Sequence, residues 1–152
     1  MIWFGAAHAP RLSRLLGPRQ LLVSVVGVAL SCVPYRNPQL GEIAEIGSLR
    51  EVMDAQATIG DPLWSRIGER TYEENAWATF RDASERIGAT AARGKTLGAE
   101  LGKPPRFGEL SDRLGVAAES LGKATEARDA DLASQALTDM QNACKTCHAE
   151  LR

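Results

Sequence analysis

The most reactive side chains of this sequence gather near its end, where Cys144, Cys147 and His148 stand in the run NACKTCHAELR. Their Cys-x-x-Cys-His spacing fits three chemistries. A zinc site needs about four ligands, and a cysteine pair is ordinarily completed by a second pair. The remaining cysteine and histidine, Cys32 and His8, lie in an N-terminal stretch of quite different character. A dithiol redox pair belongs at a helix N-terminus beside a βαβ unit, whereas this pair closes a long helical pattern. The third chemistry is covalent attachment of c-type haem. Two thiols add across the two vinyl groups of the porphyrin, and a histidine directly after the second can reach the iron from the same side. On a helix, three-residue spacing puts both sulfurs on one face. Only this chemistry uses all three residues in their order, and it implies one covalently held haem c with His148 on the iron.

The elements that must position these residues are helical. From about Glu42 onward the sequence shows no strand-like alternation and is rich in Ala, Leu, Glu and Arg, which favours helix. A first helix is expected from about Glu42 through Thr58, with Ile43, Ile46, Arg50, Met53 and Ala57 on one stripe. Gly60, Asp61 and Pro62 interrupt it, Asp61 serving as cap and Pro62 as first residue of a following turn. A second helix is expected to open on the capping box Thr71-x-x-Glu74 and to run to about Gly94. It carries Trp77, Phe80, Ile87 and Thr90. The stretch GAELGKPPRFG reads as a loop, because it combines adjacent prolines with three glycines. A third helix covers about Glu109 to Arg128, with Leu110, Leu114, Ala117, Leu121 and Ala124 inward. A fourth begins near Asp129 or Asp131 and runs to the end, carrying Met140 and the cysteine motif. Four amphipathic helices on short connections imply an all-α antiparallel four-helix bundle. Its core contains many Ala and Gly, which leaves room for a guest.

The N-terminal stretch is of another kind. Arg11, Arg14 and Arg19 precede LLVSVVGVAL, an uncharged apolar run over Leu21 to Leu30. That run is too short to span a bilayer and the right length for an export signal. Residues 1–31 are therefore expected to be a signal peptide, 32–41 a linker and 42–152 the haem domain, in a periplasmic protein. Ser31 before Cys32 resembles a lipoprotein cleavage site, where Cys32 becomes the acylated first residue and tethers the domain to a membrane. The sequence departs from that pattern at Ala29, where Leu is preferred. The net charge is −1 and the pI about 6.1, so no basic field points to nucleic acid. No catalytic triad, carboxylate pair or phosphate loop is evident, and the expectation is a carrier rather than an enzyme.

A haem motif at the C-terminal end of a four-helix bundle resembles the class II c-type cytochromes, the cytochrome c′ group. The resemblance covers about Glu42 to Arg152, and only CKTCH within it is highly specific. It implies thioethers at Cys144 and Cys147, His148 as proximal iron ligand, and a first helix lying across the opposite face. There, low-spin members of the family present a Met, and high-spin members present an apolar side chain that leaves the iron five-coordinate. The segment LREVMDA is similar to the family's first-helix segment, in which an Arg slightly precedes the distal residue. By that resemblance Met53 is the sixth ligand and Arg50 pairs with a haem propionate. The family spacing of four from the Arg would select Asp54 instead. Met140 lies two turns before His148 on the same helix, roughly 12 Å along its axis, and could reach only the porphyrin edge.

Trp64, Trp77 and Phe80 are expected in the core, and Phe107 against a haem edge. The function expected is one-electron transfer with partner redox proteins, for which Arg93 and Lys95 are candidate contacts. The rival is a five-coordinate haem that takes NO or CO. The family also often forms homodimers through its first two helices.

Overall fold

The computed structural model describes residues 37–151. The expected signal, and Cys32 with it, lie outside the described residues. Four α-helices form the bundle: α1 Leu49–Gly60, α2 Glu74–Glu100, α3 Pro105–Ala127 and α4 Ala130–Glu150. Two 3-10 segments, Leu40–Glu45 and Asp61–Arg66, flank α1. No strand occurs among the described residues. The all-α bundle read from the sequence is the observed fold.

α2, α3 and α4 pack side by side, α1 packs chiefly on α2, and the 3-10 segment after α1 rests on α4. Leu121, Ala124, Ala133, Leu137 and Met140 fill the core with Phe80, Ile87 and Ala118, all essentially solvent-free. Alanines at these facing positions let the helices approach closely. One end of the core is aromatic. Tyr72 meets Trp77 and Phe80 edge-to-face, with ring centroids 5.1 and 4.9 Å away, the arrangement preferred by ring quadrupoles.

Several helix ends differ from expectation, each for a local reason. The expected first helix is split, because Ser48 caps α1 afresh by accepting a hydrogen bond from the Glu51 N–H at 3.2 Å. The Thr71 capping box does not form: α2 starts at Glu74, with Glu73 at the cap position and no side-chain cap. The chain there is held extended by Tyr72, whose ring sits on Trp77 and Phe80 and whose hydroxyl donates to the Arg66 carbonyl at 2.9 Å.

α2 also passes straight through Gly94 to Glu100. Its glycines mark close approach rather than a break: a Cβ at Gly94 would lie 3.3 Å from Val52, and one at Gly98 would strike the Phe107 ring. The long expected loop shrinks to Leu101–Pro104. Gly102, with φ +65°, supplies the left-handed residue of a Schellman cap in which Lys103 N–H donates to the Gly98 carbonyl at 2.9 Å. Pro105 then opens α3 at its first position, where its missing N–H costs nothing, so Phe107 belongs to a helix and not a loop. α3 ends in the same way on Arg128, which holds φ +56°. Asp129 next accepts from the Leu132 N–H at 3.0 Å and caps α4.

Upstream of α1 the chain is tied to α2 by two arginines. Arg86 is buried; it donates to Asn37 Oδ1 at 2.6 Å and to the Pro38 carbonyl at 3.1 Å, and pairs with Asp82 at 2.6 Å. Arg93, two turns on, donates to the Ile46 carbonyl at 2.8 Å.

Candidate functional site

Because α1 leans on α2 and stands off α4, the bundle leaves a cavity of about 500 Å³ between them. That volume falls in the range of small-molecule and cofactor sites. One wall is the end of α4, with Cys144, Cys147 and His148. The wall across from it is α1, with Met53, Gln56 and Ala57. Leu110 and Leu114 of α3, Gly94 of α2 and the indole of Trp64 close the sides, so most of the lining is apolar. A groove of about 290 Å³ adjoins the cavity, and Met53, Cys147 and His148 border both spaces. Leu49 and Arg50 of α1, Lys103, Pro104 and Phe107 form the rest of the groove with Leu151.

The helix register explains this convergence. Cys144, Cys147 and His148 are three and four residues apart on α4, the spacings that share a helix face. Met53, Gln56 and Ala57 repeat the same spacing on α1. Met140 turns the other way into the core, while Ala143, also buried, borders the cavity. Met140 is fully buried and does not line the cavity.

Neither cysteine forms a disulfide, and both are half-buried. Burial pushes the Cys144 thiol up to about 11, with Cys147 and Asp61 adding to the effect. Burial also raises Cys147, helped by Glu150. A dithiol redox pair needs the opposite, a depressed pKa at the positive end of a helix. Here the thiols lie in the last turns of α4, at the negative end of its dipole. No group of three or more His, Cys, Asp or Glu side chains converges among the described residues. Two neutral thiols and a histidine opening onto a large apolar cavity fit a porphyrin.

Arg50 lines the groove with its side chain almost fully exposed, 4.0 Å from Asp54. Asp54, the alternative at four-residue spacing, lines neither space, whereas Met53 lines both. Phe107 lies in the groove beside His148, and Trp64 lines the cavity with its indole N–H donating to Asp61 at 3.1 Å. Trp77 and Phe80 are core residues. Arg93 is engaged with Ile46, and Lys95 donates to both Asp112 oxygens at 2.8 and 2.7 Å. Gln56, Asp61 and Ser111 also line the cavity; none of them was expected at the site, and Asp61, expected as a cap, is instead the first residue of its 3-10 segment, with Gly60 at the cap position. For Gln56 the signal was present, since it follows Met53 by three residues.

Comparison with known families matches residues 69–152 to Cytochrome C′. The chain belongs to the cytochrome c′ family. The matched residues hold α2, α3, α4 and the Cys-x-x-Cys-His motif, and the family implies a covalently bound haem c. α1 lies outside the match, so membership concerns the attaching wall and leaves the Met53 wall to the chain's own geometry. No curated protein matched the sequence, and no solved structure did.

Proposed function

We propose that this cytochrome c′ family member is a monohaem electron carrier working outside the cytoplasm. Cys144 and Cys147 would hold the porphyrin, and His148 and Met53 would be the side chains offered to its iron. The haem supplies a one-electron couple between ferric and ferrous iron. The chain supplies the rest: an apolar cavity that restricts water, two axial side chains, and Arg50 at the groove rim where a propionate can pair with it. The observation that carries this reading is that Met53 of α1 and His148 of α4 border the same two spaces. A thioether ligand favours ferrous iron and so raises the potential. Export rests on the N-terminal sequence, and Cys32 gives a route to a membrane tether. Redox partner proteins then meet the molecule at the exposed groove.

Absorption spectra of the matured ferric and ferrous protein, with a Met53→Ala control, test the ligation. Low-spin spectra with a thioether-to-iron charge-transfer band, lost in the variant, are expected. A high-spin ferrous spectrum that changes on adding CO to the unaltered protein would instead assign the five-coordinate, gas-binding role.

A further inference from the structure

The polar side chains that line the cavity are almost all committed to neighbours. Asp61 accepts the Trp64 indole N–H at 3.1 Å, Ser111 donates to the Phe107 carbonyl at 2.9 Å, and Gln141 accepts from Lys145 at 2.7 Å. Cys144, Cys147 and His148 are the groups read above as holding the haem. Gln56 is the exception. It lines the cavity from α1, one turn beyond Met53, and is only partly exposed. Its side-chain amide has no hydrogen-bond partner among the described residues.

An amide facing an apolar cavity loses its water when a large apolar guest enters, and an unpaired donor there is costly. The N–H is stabilised if the guest brings an acceptor to it. A porphyrin face has none, but a diatomic ligand on its iron does, at the outer atom. Hydrogen-bond donors in the distal pocket are among the levers that decide how a haem protein treats such ligands.

We propose that Gln56 is a specificity-determining residue that donates its amide N–H to the outer atom of a neutral diatomic ligand, NO or CO, held at the iron on the α1 side. This rests on the reading that haem occupies the cavity, and it does not require that Met53 be the sixth ligand. Ligand entry displaces Met53 where Met53 is bound, and Gln56 then contacts the incoming ligand. The chain thus holds two adjacent side chains of different use on one face of α1, a thioether for the resting iron and an amide for an exogenous ligand.

The test uses haem-loaded protein in the Met53→Ala background, so that the distal position is open, with CO and NO as probes. Infrared spectra of the ferrous CO adduct should show a C–O stretch that moves on exchange into D2O. Gln56→Leu should shift that band to higher wavenumber and abolish its isotope sensitivity. Gln56→Glu, of nearly the same shape but lacking the N–H donor, should do the same above the titration of its carboxyl. NO dissociation should become about three- to tenfold faster in Gln56→Leu, the loss of one neutral hydrogen bond. A purely structural role would change the melting temperature and leave the C–O band in place. A C–O band indifferent to D2O and to both substitutions would overturn the assignment alone, as would a haem-loaded Met53→Ala protein that takes no CO. Matured protein without haem absorption would overturn the haem reading beneath it.

Discussion

Gly98 on α2 sits against the Phe107 ring on α3, and replacing it tests how tightly the two helices close beside the groove. A Cβ at position 98 would lie 2.4 and 2.5 Å from Phe107 Cε1 and Cδ1. Carbon atoms in contact prefer about 3.5–4.0 Å, so the ring must retreat by roughly 1 Å. Phe107 is 7% exposed and belongs to the first turn of α3, which leaves little slack. Overpacking of this kind costs about 1–3 kcal/mol, and the helical preference of Ala over Gly offsets about 0.5–1 kcal/mol of it. Gly98→Ala should therefore destabilise by about 0.5–2 kcal/mol. Gly88 lies on the same helix with no atom within 4 Å of its would-be Cβ, so Gly88→Ala should stabilise by about 0.5–1 kcal/mol. The pair cancels propensity and leaves the ring clash. Thermal unfolding of the haem-loaded protein, followed by circular dichroism, should separate the two variants by roughly 3–10 °C. Gly98→Ala/Phe107→Leu should recover part of the loss. If Gly98→Ala melts with Gly88→Ala, Phe107 is not wedged against α2 and the packing argument fails.

Double replacement of Cys144 and Cys147 by Ser should release the haem into acidified acetone, which the unaltered protein should withstand; either single variant should keep one thioether. Arg86→Met should cost about 2–3 kcal/mol, because it removes charge-assisted bonds to Asn37, Pro38 and Asp82, and chemical denaturation with limited proteolysis upstream of α1 should reveal it. Glu74 is held below the usual carboxylate range chiefly by its hydrogen bond to Arg128, which donates Nη2–H to Oε1 at 2.6 Å. Its folded pKa is depressed, so the pair stabilises at neutral pH and that share is lost as pH falls through the depressed value. Glu74→Gln should accordingly lose that share at neutral pH and so flatten the acid limb of a stability–pH curve, the variant and the unaltered protein converging at low pH. Cys32→Ser should prevent fatty-acid labelling and release the expressed protein from membranes into the soluble fraction.

How much of this was legible in the sequence depended on which physical signal each feature left. The bundle was legible, because Leu110, Leu114, Ala117, Leu121 and Ala124 repeat at helical spacing and all proved buried. The cysteine motif was legible because porphyrin chemistry dictates its order. Gly94, Gly98 and the Pro104–Pro105 pair misled about boundaries. A glycine that lets Val52 or Phe107 approach looks, in one dimension, the same as a glycine that ends a helix. The failed Thr71 cap has a similar origin: where α2 begins is set by Tyr72 packing on rings four or more residues downstream. Gln56 was missed because a polar residue on a helix reads by default as a solvated one. Its meaning emerged only when Asp61, Ser111 and Gln141 were seen to be engaged elsewhere.

The one-sided packing of α1 bears on the order in which such a molecule can be put together. α3 packs on both α2 and α4 without α1, and α4 carries the cysteines proposed to hold the porphyrin. Of the four α-helices α1 is the furthest in sequence from those cysteines, and it rests chiefly on α2. The bundle can therefore be three-quarters built with its fourth side ajar, leaving the thiols open to whatever machinery presents the porphyrin. On the function proposed above, the residues that would hold the porphyrin and the one that would meet its iron from the other side thus belong to parts of the fold that pack separately.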